Sequence, residues 1–574
     1  MTTPLDIARN ALLAATTAAG MLREDPLLLV LQASRRLPRR LTGAVSAVLL
    51  AGRPGDGVRA VAGHWLAGRR EAAAQAVPHA RPRGRLSRRL LQELAVELEA
   101  VPVAAAPAGR VRARAAWRSG DLSGAAEVAR AAGADRLADR YLAERQTLDP
   151  AFALPVRRST DRRRSEGPPR ALHLLTNSLP HTQSGYALRS HAVLRSQAAA
   201  GVEVTAVTRI GYPVTIGSLA ARHRDTVDGL TYERLLPPRL PATVPDRATR
   251  TVALLRPVAE RFGATVVHTT TPYGNGQIAA AVAAELGVPW VYEVRGLLEQ
   301  TWVAGRPGPA PRERATASER FRLLRAQEAA VAAGADHVVT LSRTLHADLT
   351  GRGVPAERVT VIPNAVDGRL LTLPDRSPAD ARADLGLPED GFWVGTVSSL
   401  VGYEGLDMVI DAVRMLRARG LDVRACLVGD GVARPELERR ARAAGIADAV
   451  VLPGRVPAAE APRWHRALDV FTVPRRDLEV CRRVTPLKPV EAMALGRPVV
   501  ASDLPALAEV LEGGAGRLVP PGDAEALADT IAELREDDRS RSELVAAGRE
   551  VAAGRTWERN GLRYRELYER LGAT

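Results

Sequence analysis

The chain has 574 residues, 46% hydrophobic, 25% charged and 4% aromatic, the profile of a globular protein of several domains, which excludes a disordered or fibrous chain. Eighty basic against 65 acidic residues give a formal charge of +15, which points to an anionic partner. Specific nucleic-acid binding is not expected, because the arginines are interspersed with acids and no helix-turn-helix, finger or RNA-recognition signature occurs.

The opening stretch MTTPLDIARN lacks the basic start and apolar core of a secretion signal, and no apolar run approaches the roughly 20 residues that span a bilayer, so a cytoplasmic location is expected. Residues 1–150 read as an all-α region rich in Ala, Leu, Arg and Glu. Two segments, from Trp65 and from Trp117, share the pattern W-x2-G-x4-A-A. Two readings stand: tetratricopeptide-like helical hairpins, or an irregular helical domain with coincident tryptophans. In either, the region is expected to bind a protein or mediate oligomerisation.

Residues 151–169 read as a basic linker without apolar period. Beyond them, short apolar runs alternate with helical stretches, the signal of βαβ units. One set begins at Ala171, Val202, Ala264, Pro289, Ala335 and Arg358, and a second at Phe392, Arg424, Ala449, Val470 and Arg497. The expected fold is α/β: two tandem doubly wound Rossmann-like domains, 170–367 and 368–555, with a ligand cleft between the carboxyl ends of their strands. Within the first, Pro311 to Gln327 reads as one basic helix that either touches an anionic membrane or is simply solvated. A final amphipathic helix occupies 556–574.

Two cysteines, Cys426 and Cys481, fit neither a disulfide framework nor a metal site. Lys488 is the sole lysine among the 80 basic residues. Coding bias toward GC accounts for the arginines but not for this exception; a compact charge on a flexible stem is the chemical reason to keep one.

The ordered series NSLPHTQSGYALRSHAVL, VIPNAVD, LVGDG, LPGRV, PVEAMALGRPVVASD and GRLVPPGD resembles the retaining GT-B glycosyltransferases of family 4 over about residues 170–572. The resemblance implies an acceptor-binding first domain, a donor-binding second domain and a last helix that crosses back to the first. Within it Glu491 reads as the ribose ligand or as a surface carboxylate favoured at a helix start, LPGRV with Arg455 as a strand end beside the base or as a simple turn, and Ser184, Gly185 and Tyr186 as the loop near donor phosphate or acceptor.

The chain departs from the family pattern in three places. Arg483 stands where the family has the first of two glutamates, and Ser399 and Glu404, before Gly405, stand where it has phosphate-binding cations. Arg295 replaces a histidine at a strand end. A diphosphate brought into a cleft needs compensating charge, so the expectation is that the cations have moved to the opposite wall: Arg482, Arg483 and Lys488, around Pro486 and Leu487, with Glu404 either paired to one of them or facing the sugar. Arg295 stabilises the leaving phosphate, binds an acidic acceptor, or forms an ion pair with Glu293 or Glu299, and His268 is either structural or near the acceptor.

The implied reaction is metal-independent transfer of a sugar, with retention, from a nucleotide-diphosphate donor, UDP being expected, to a hydroxyl of a glycan, glycolipid or small molecule in cell-surface polysaccharide or glycolipid synthesis. A hexosyl or N-acetylhexosaminyl group is the expected cargo. No D-x-D triplet is present, and no cofactor, metal or pyridoxal phosphate is expected. The alternatives are a nucleotide-sugar epimerase and a non-catalytic scaffold on the same fold.

Overall fold

The computed structural model describes residues 4–24, 39–51, 57–160 and 167–573. Through Thr147 the described chain is helical apart from turns. In both tryptophan repeats a glycine with positive φ, Gly68 (+74°) or Gly120 (+95°), separates two helices, and the paired alanines are mostly buried between them. Each repeat is therefore a helical hairpin, Gly57–Leu66 with Arg70–Ala76 and Arg110–Ser119 with Leu122–Ala131.

The first sheet holds β1 (Arg170–Leu175), β2 (Glu203–Thr208), β3 (Arg224–Val227), β4 (Leu230–Arg234), β5 (Val266–Thr270), β6 (Trp290–Val294), β7 (His337–Thr340) and β8 (Val359–Val361), in spatial order β3-β4-β2-β1-β5-β6-β7-β8. All its neighbours are parallel except β3 and β4. The second sheet holds β9 (Phe392–Val397), β10 (Val423–Val428), β11 (Val450–Val451), β12 (Val470–Val473), β13 (Val499–Ser502) and β14 (Arg517–Val519), parallel throughout, in order β11-β10-β9-β12-β13-β14. Helices cover both faces of each sheet, which is why the central strands are apolar without alternation. The order reverses at β1/β5 and at β9/β12, where an open sheet leaves a crevice at its strand ends.

The start of the expected linker is not free. Phe152, Leu154 and Val156 alternate, and they pack on the first core, while Ser159 N donates to Ala284 O at 2.9 Å; residues 161–166 of that expectation lie outside the described residues. The expected basic helix at 311–327 is two helices, Pro309–Thr316 and Glu319–Ala333, because Ser318 caps the second. This segment is a docking surface for the helical region: Ser123 donates its N–H and hydroxyl to Glu319 at 2.8 and 2.7 Å, and the Arg320 guanidinium lies 4.6 Å from the centre of Trp117.

The chain returns to the first domain through a bridge between Val366 and Thr556, then helix Trp557–Arg570 packs on helix Gly185–Ala199. A Cβ at Gly561 would stand 2.1 Å from Ser196 O, so the helices meet backbone to backbone. Tyr564 and Tyr568 are fully buried beneath, against β1, β5 and β6.

Candidate active site

The second-domain wall of the cleft is built from loops at the carboxyl ends of β9, β10 and β12. Gly405 has φ +67°, and a Cβ there would come within 2.0 Å of Pro474 O. In LVGDG, side chains at Gly429 and Gly431 would meet the carbonyls of Ser398 and Leu400 at 1.9 and 2.1 Å. Glycine at these three positions lets the loops approach one another backbone to backbone.

Two ion pairs sit on this wall. Glu404 accepts a bidentate pair of bonds from Arg475, 2.8 Å from Nη2 and 3.1 Å from Nε, and Arg475 Nη1 donates to Val484 O at 2.9 Å. Burial opposes the Arg475 charge, but Glu404 more than restores it and the guanidinium pKa is raised. Glu491 accepts from Lys488 Nζ at 2.7 Å, and His465 Nε2 lies 3.5 Å from the same oxygen. Burial pushes the Glu491 carboxyl up, yet Lys488 and His465 together hold it down to about 2. The Lys488 side chain is 29% exposed.

The facing wall carries the Ser184 loop. Ser184 Oγ accepts from Ala187 N at 3.2 Å and caps helix Gly185–Ala199, and nothing lies within 4 Å of a Cβ built at Gly185. Tyr186 is 59% exposed, its hydroxyl 2.9 Å from the place a Gly296 Cβ would take, and it lies within electrostatic reach of Arg475 and Tyr403 across the cleft.

Behind that wall is a buried polar cluster centred on Glu293. Its carboxylate accepts from Arg189 Nη2 and from Arg295 Nη2, both at 2.9 Å, with His268 Nε2 at 3.3 Å. Arg295 Nη1 donates to Ser190 Oγ at 2.7 Å. His268 Nδ1 is 2.6 Å from Tyr568 Oη and the ring stacks on His173 at 4.5 Å. The two guanidinium groups hold Glu293 well below the ordinary carboxylate value despite its burial. Arg189 Nη1 also donates to Asn364 Oδ1 at 2.6 Å, and Asn364 Nδ2 donates to Thr485 O at 3.0 Å.

Several expected site residues sit elsewhere than expected. Glu404 pairs with Arg475, not with Arg482, Arg483 or Lys488, because Arg475 directly follows the carbonyl on which Gly405 packs. Arg483 instead bridges Glu479 and Asp348, each at 3.2 Å, and Arg482 pairs with Asp477. Arg295 takes the ion-pair alternative, with Glu293; Glu299 pairs with Arg352 at 2.8 Å. His268 lies within β5, fully buried against Tyr564 and Tyr568 of the C-terminal helix. Ser399 and Arg455 are exposed at strand ends, and Pro486 and Leu487 lead into helix Lys488–Ala494. Sequence reasoning did not single out Arg475, His465, Arg189 or Asn364; an arginine pair immediately after a buried strand in VFTVPRRD was the available sign for Arg475.

Two Rossmann-like domains facing a common cleft, with a helix returning from the second to the first, define a GT-B protein. Residues 391–537 match the family model described as Glycosyl transferases group 1, and residues 184–365 match that of the Glycosyl transferase 4-like domain. The chain is 30% identical over 312 residues to D-inositol 3-phosphate glycosyltransferase of Xylanimonas cellulosilytica, covering 53% of this chain and 71% of that one. It is 34% identical over 239 residues to the GDP-mannose-dependent alpha-(1-6)-phosphatidylinositol monomannoside mannosyltransferase of Mycolicibacterium smegmatis, covering 41% and 62%. Among solved structures, sucrose-phosphate synthase from Thermosynechococcus elongatus superposes with a TM-score of 0.57 at 22% identity, covering 70% and 99%. Anabaena HepE in complex with UDP gives 0.52 at 19%, covering 70% and 100%. The chain belongs to the group 1 glycosyltransferases.

Proposed function

We propose that this glycosyltransferase moves a hexosyl group from a nucleotide-diphosphate donor to an acceptor hydroxyl with retention of anomeric configuration and without a metal. The observation that carries the reading is the Lys488 to Glu491 pair at the carboxyl-end cleft of the second sheet. Glu491, ionised at any neutral pH, accepts the two ribose hydroxyls. Lys488 then leaves it for the diphosphate, supplying there a positive charge that a metal would otherwise bring, while Arg475, neutralised by Glu404, holds the loop beside it. In the transfer, the bond from the anomeric carbon to the phosphate oxygen breaks and a bond to the acceptor oxygen forms on the same face. The acceptor proton passes to the departing phosphate. Tyr186 and the Ser184 loop hold the acceptor on the facing wall.

UDP is the proposed donor nucleotide, and the name of the M. smegmatis relative makes GDP its competitor. The names of the relatives also favour a phosphorylated polyol or its lipid as acceptor. Calorimetric titration of UDP and GDP into the wild type and into Lys488→Ala tests the reading. Binding of one nucleotide, weakened by about 1.5 to 3 kcal/mol in the variant, is the expected result. If neither nucleotide binds the wild type, the donor-site assignment fails.

A further inference from the structure

Helix Arg85–Glu97 belongs to the helical region that precedes both Rossmann-like domains, and its two halves differ. Its C-terminal half is buried: Glu93, Leu94, Ala95 and Val96 face inward, Glu93 paired with Arg114 and Glu97 with Arg118. Its N-terminal half and the segment before it, RPRGRLSRRL (81–90), stand out from the surface. Arg81, Arg83, Arg85, Arg88 and Arg89 are all exposed, and residues 81–92 contain no acid. Arg83, Arg85, Arg88 and Arg89 have no acidic partner among the described residues. Between them Leu86 is 87% exposed, and Leu90, one turn on, is 38% exposed.

Nothing in the fold rewards this arrangement. Three arginines in the first five residues of a helix oppose its dipole, and no carboxylate in the first turn relieves them. A bare leucine among them adds exposed apolar area without any packing return.

We propose that this surface docks the protein on an anionic lipid bilayer, with Leu86 and Leu90 entering the acyl boundary and the flanking arginines meeting the headgroup phosphates. Charge complementarity selects an anionic partner, and the exposed leucines select a bilayer over nucleic acid. Single-stranded nucleic acids are held by aromatic stacking alongside the charges, and residues 81–90 contain no aromatic side chain. The surface stands independently of the donor site.

The test is flotation of the full chain with vesicles of phosphatidylcholine, with and without phosphatidylglycerol. It is repeated for Arg85→Gln/Arg88→Gln/Arg89→Gln and for Leu86→Asn/Leu90→Asn. These side chains are exposed, so a thermal melt matching wild type checks that each variant folds. The wild type should float only with the anionic vesicles, partition should fall about fivefold for each arginine removed, and the leucine variant should also lose partition. The proposal is overturned if the wild type does not float with anionic vesicles, or if neither variant changes its flotation. It is equally overturned if the leucine variant floats as well as wild type while a short RNA binds wild type but not the arginine variant, which would make the surface a nucleic-acid site.

Discussion

Asn364 donates its side-chain amide to the carbonyl of Thr485 at 3.0 Å and accepts from Arg189 at 2.6 Å. One amide thus ties the Glu293 cluster of the first domain to the loop that leads to Lys488 in the second. Asn364→Ala leaves a buried guanidinium nitrogen and a carbonyl without partners, at a cost of about 1 to 3 kcal/mol. A lower thermal midpoint together with weaker nucleotide binding is expected; an unchanged nucleotide affinity would mean that the amide does not position the donor loop.

Gly405→Ala adds a methyl group within 2.0 Å of Pro474 O at a left-handed backbone position. The loops after β9 and β12 must then part, and Glu404 with Arg475 sits on that seam. A loss of roughly 1 to 3 kcal/mol in stability is expected, with donor affinity falling alongside it. Urea unfolding that matches wild type would show that the seam is loose.

The Glu404 to Arg475 pair lends itself to a double-mutant cycle. Either Glu404→Gln or Arg475→Met alone strands a nearly buried charge and should destabilise by about 3 to 5 kcal/mol, while the two together should cost distinctly less than their sum. Simple additivity in chemical denaturation would argue against coupling. Donor binding should fall in both variants that lack Arg475.

Two carboxyls give opposite pH dependences. Glu491 lies at about 2 against an ordinary 4.5, so its contribution is complete above about 4.5 and is lost as pH falls toward 2. Lys488→Met should move acid unfolding to higher pH, as followed by circular dichroism. Glu328 accepts from Tyr292 Oη at 2.6 Å and Tyr273 N at 2.8 Å, and burial pushes it up to about 7. Its stabilisation is complete below about 4.5 and declines as pH rises toward 7. Glu328→Gln should flatten that decline; parallel stability curves for variant and wild type between pH 5 and 8 would remove Glu328 as its source.

Most of the strands were legible along the chain because doubly covered parallel strands are written as continuous apolar runs, as in β1, β5 and β9. The β3 and β4 hairpin escaped because its edge residues are polar and partly exposed, although Asp228 and Gly229, both at positive φ, form the turn between them. Glu491 and Lys488 were singled out on their local sequence. Many of the pairings around the cleft were not, since the partners are distant in sequence: Glu404 and Arg475 are 71 residues apart, and His268 and Tyr568 are 300 apart. No local periodicity records such meetings. The loss of the usual cations from the β9 loop was visible residue by residue, whereas the acids that engage Arg482 and Arg483 became apparent only in three dimensions.

The sole lysine has a practical corollary. An acylating reagent that attacks primary amines finds a single side-chain target in this chain, and that target pairs with Glu491 in the proposed donor site. Its extent of labelling, read by mass spectrometry, becomes an occupancy gauge that no arginine can blur. The native sequence thus carries a one-atom reporter, Lys488 Nζ, that in most proteins would have to be engineered.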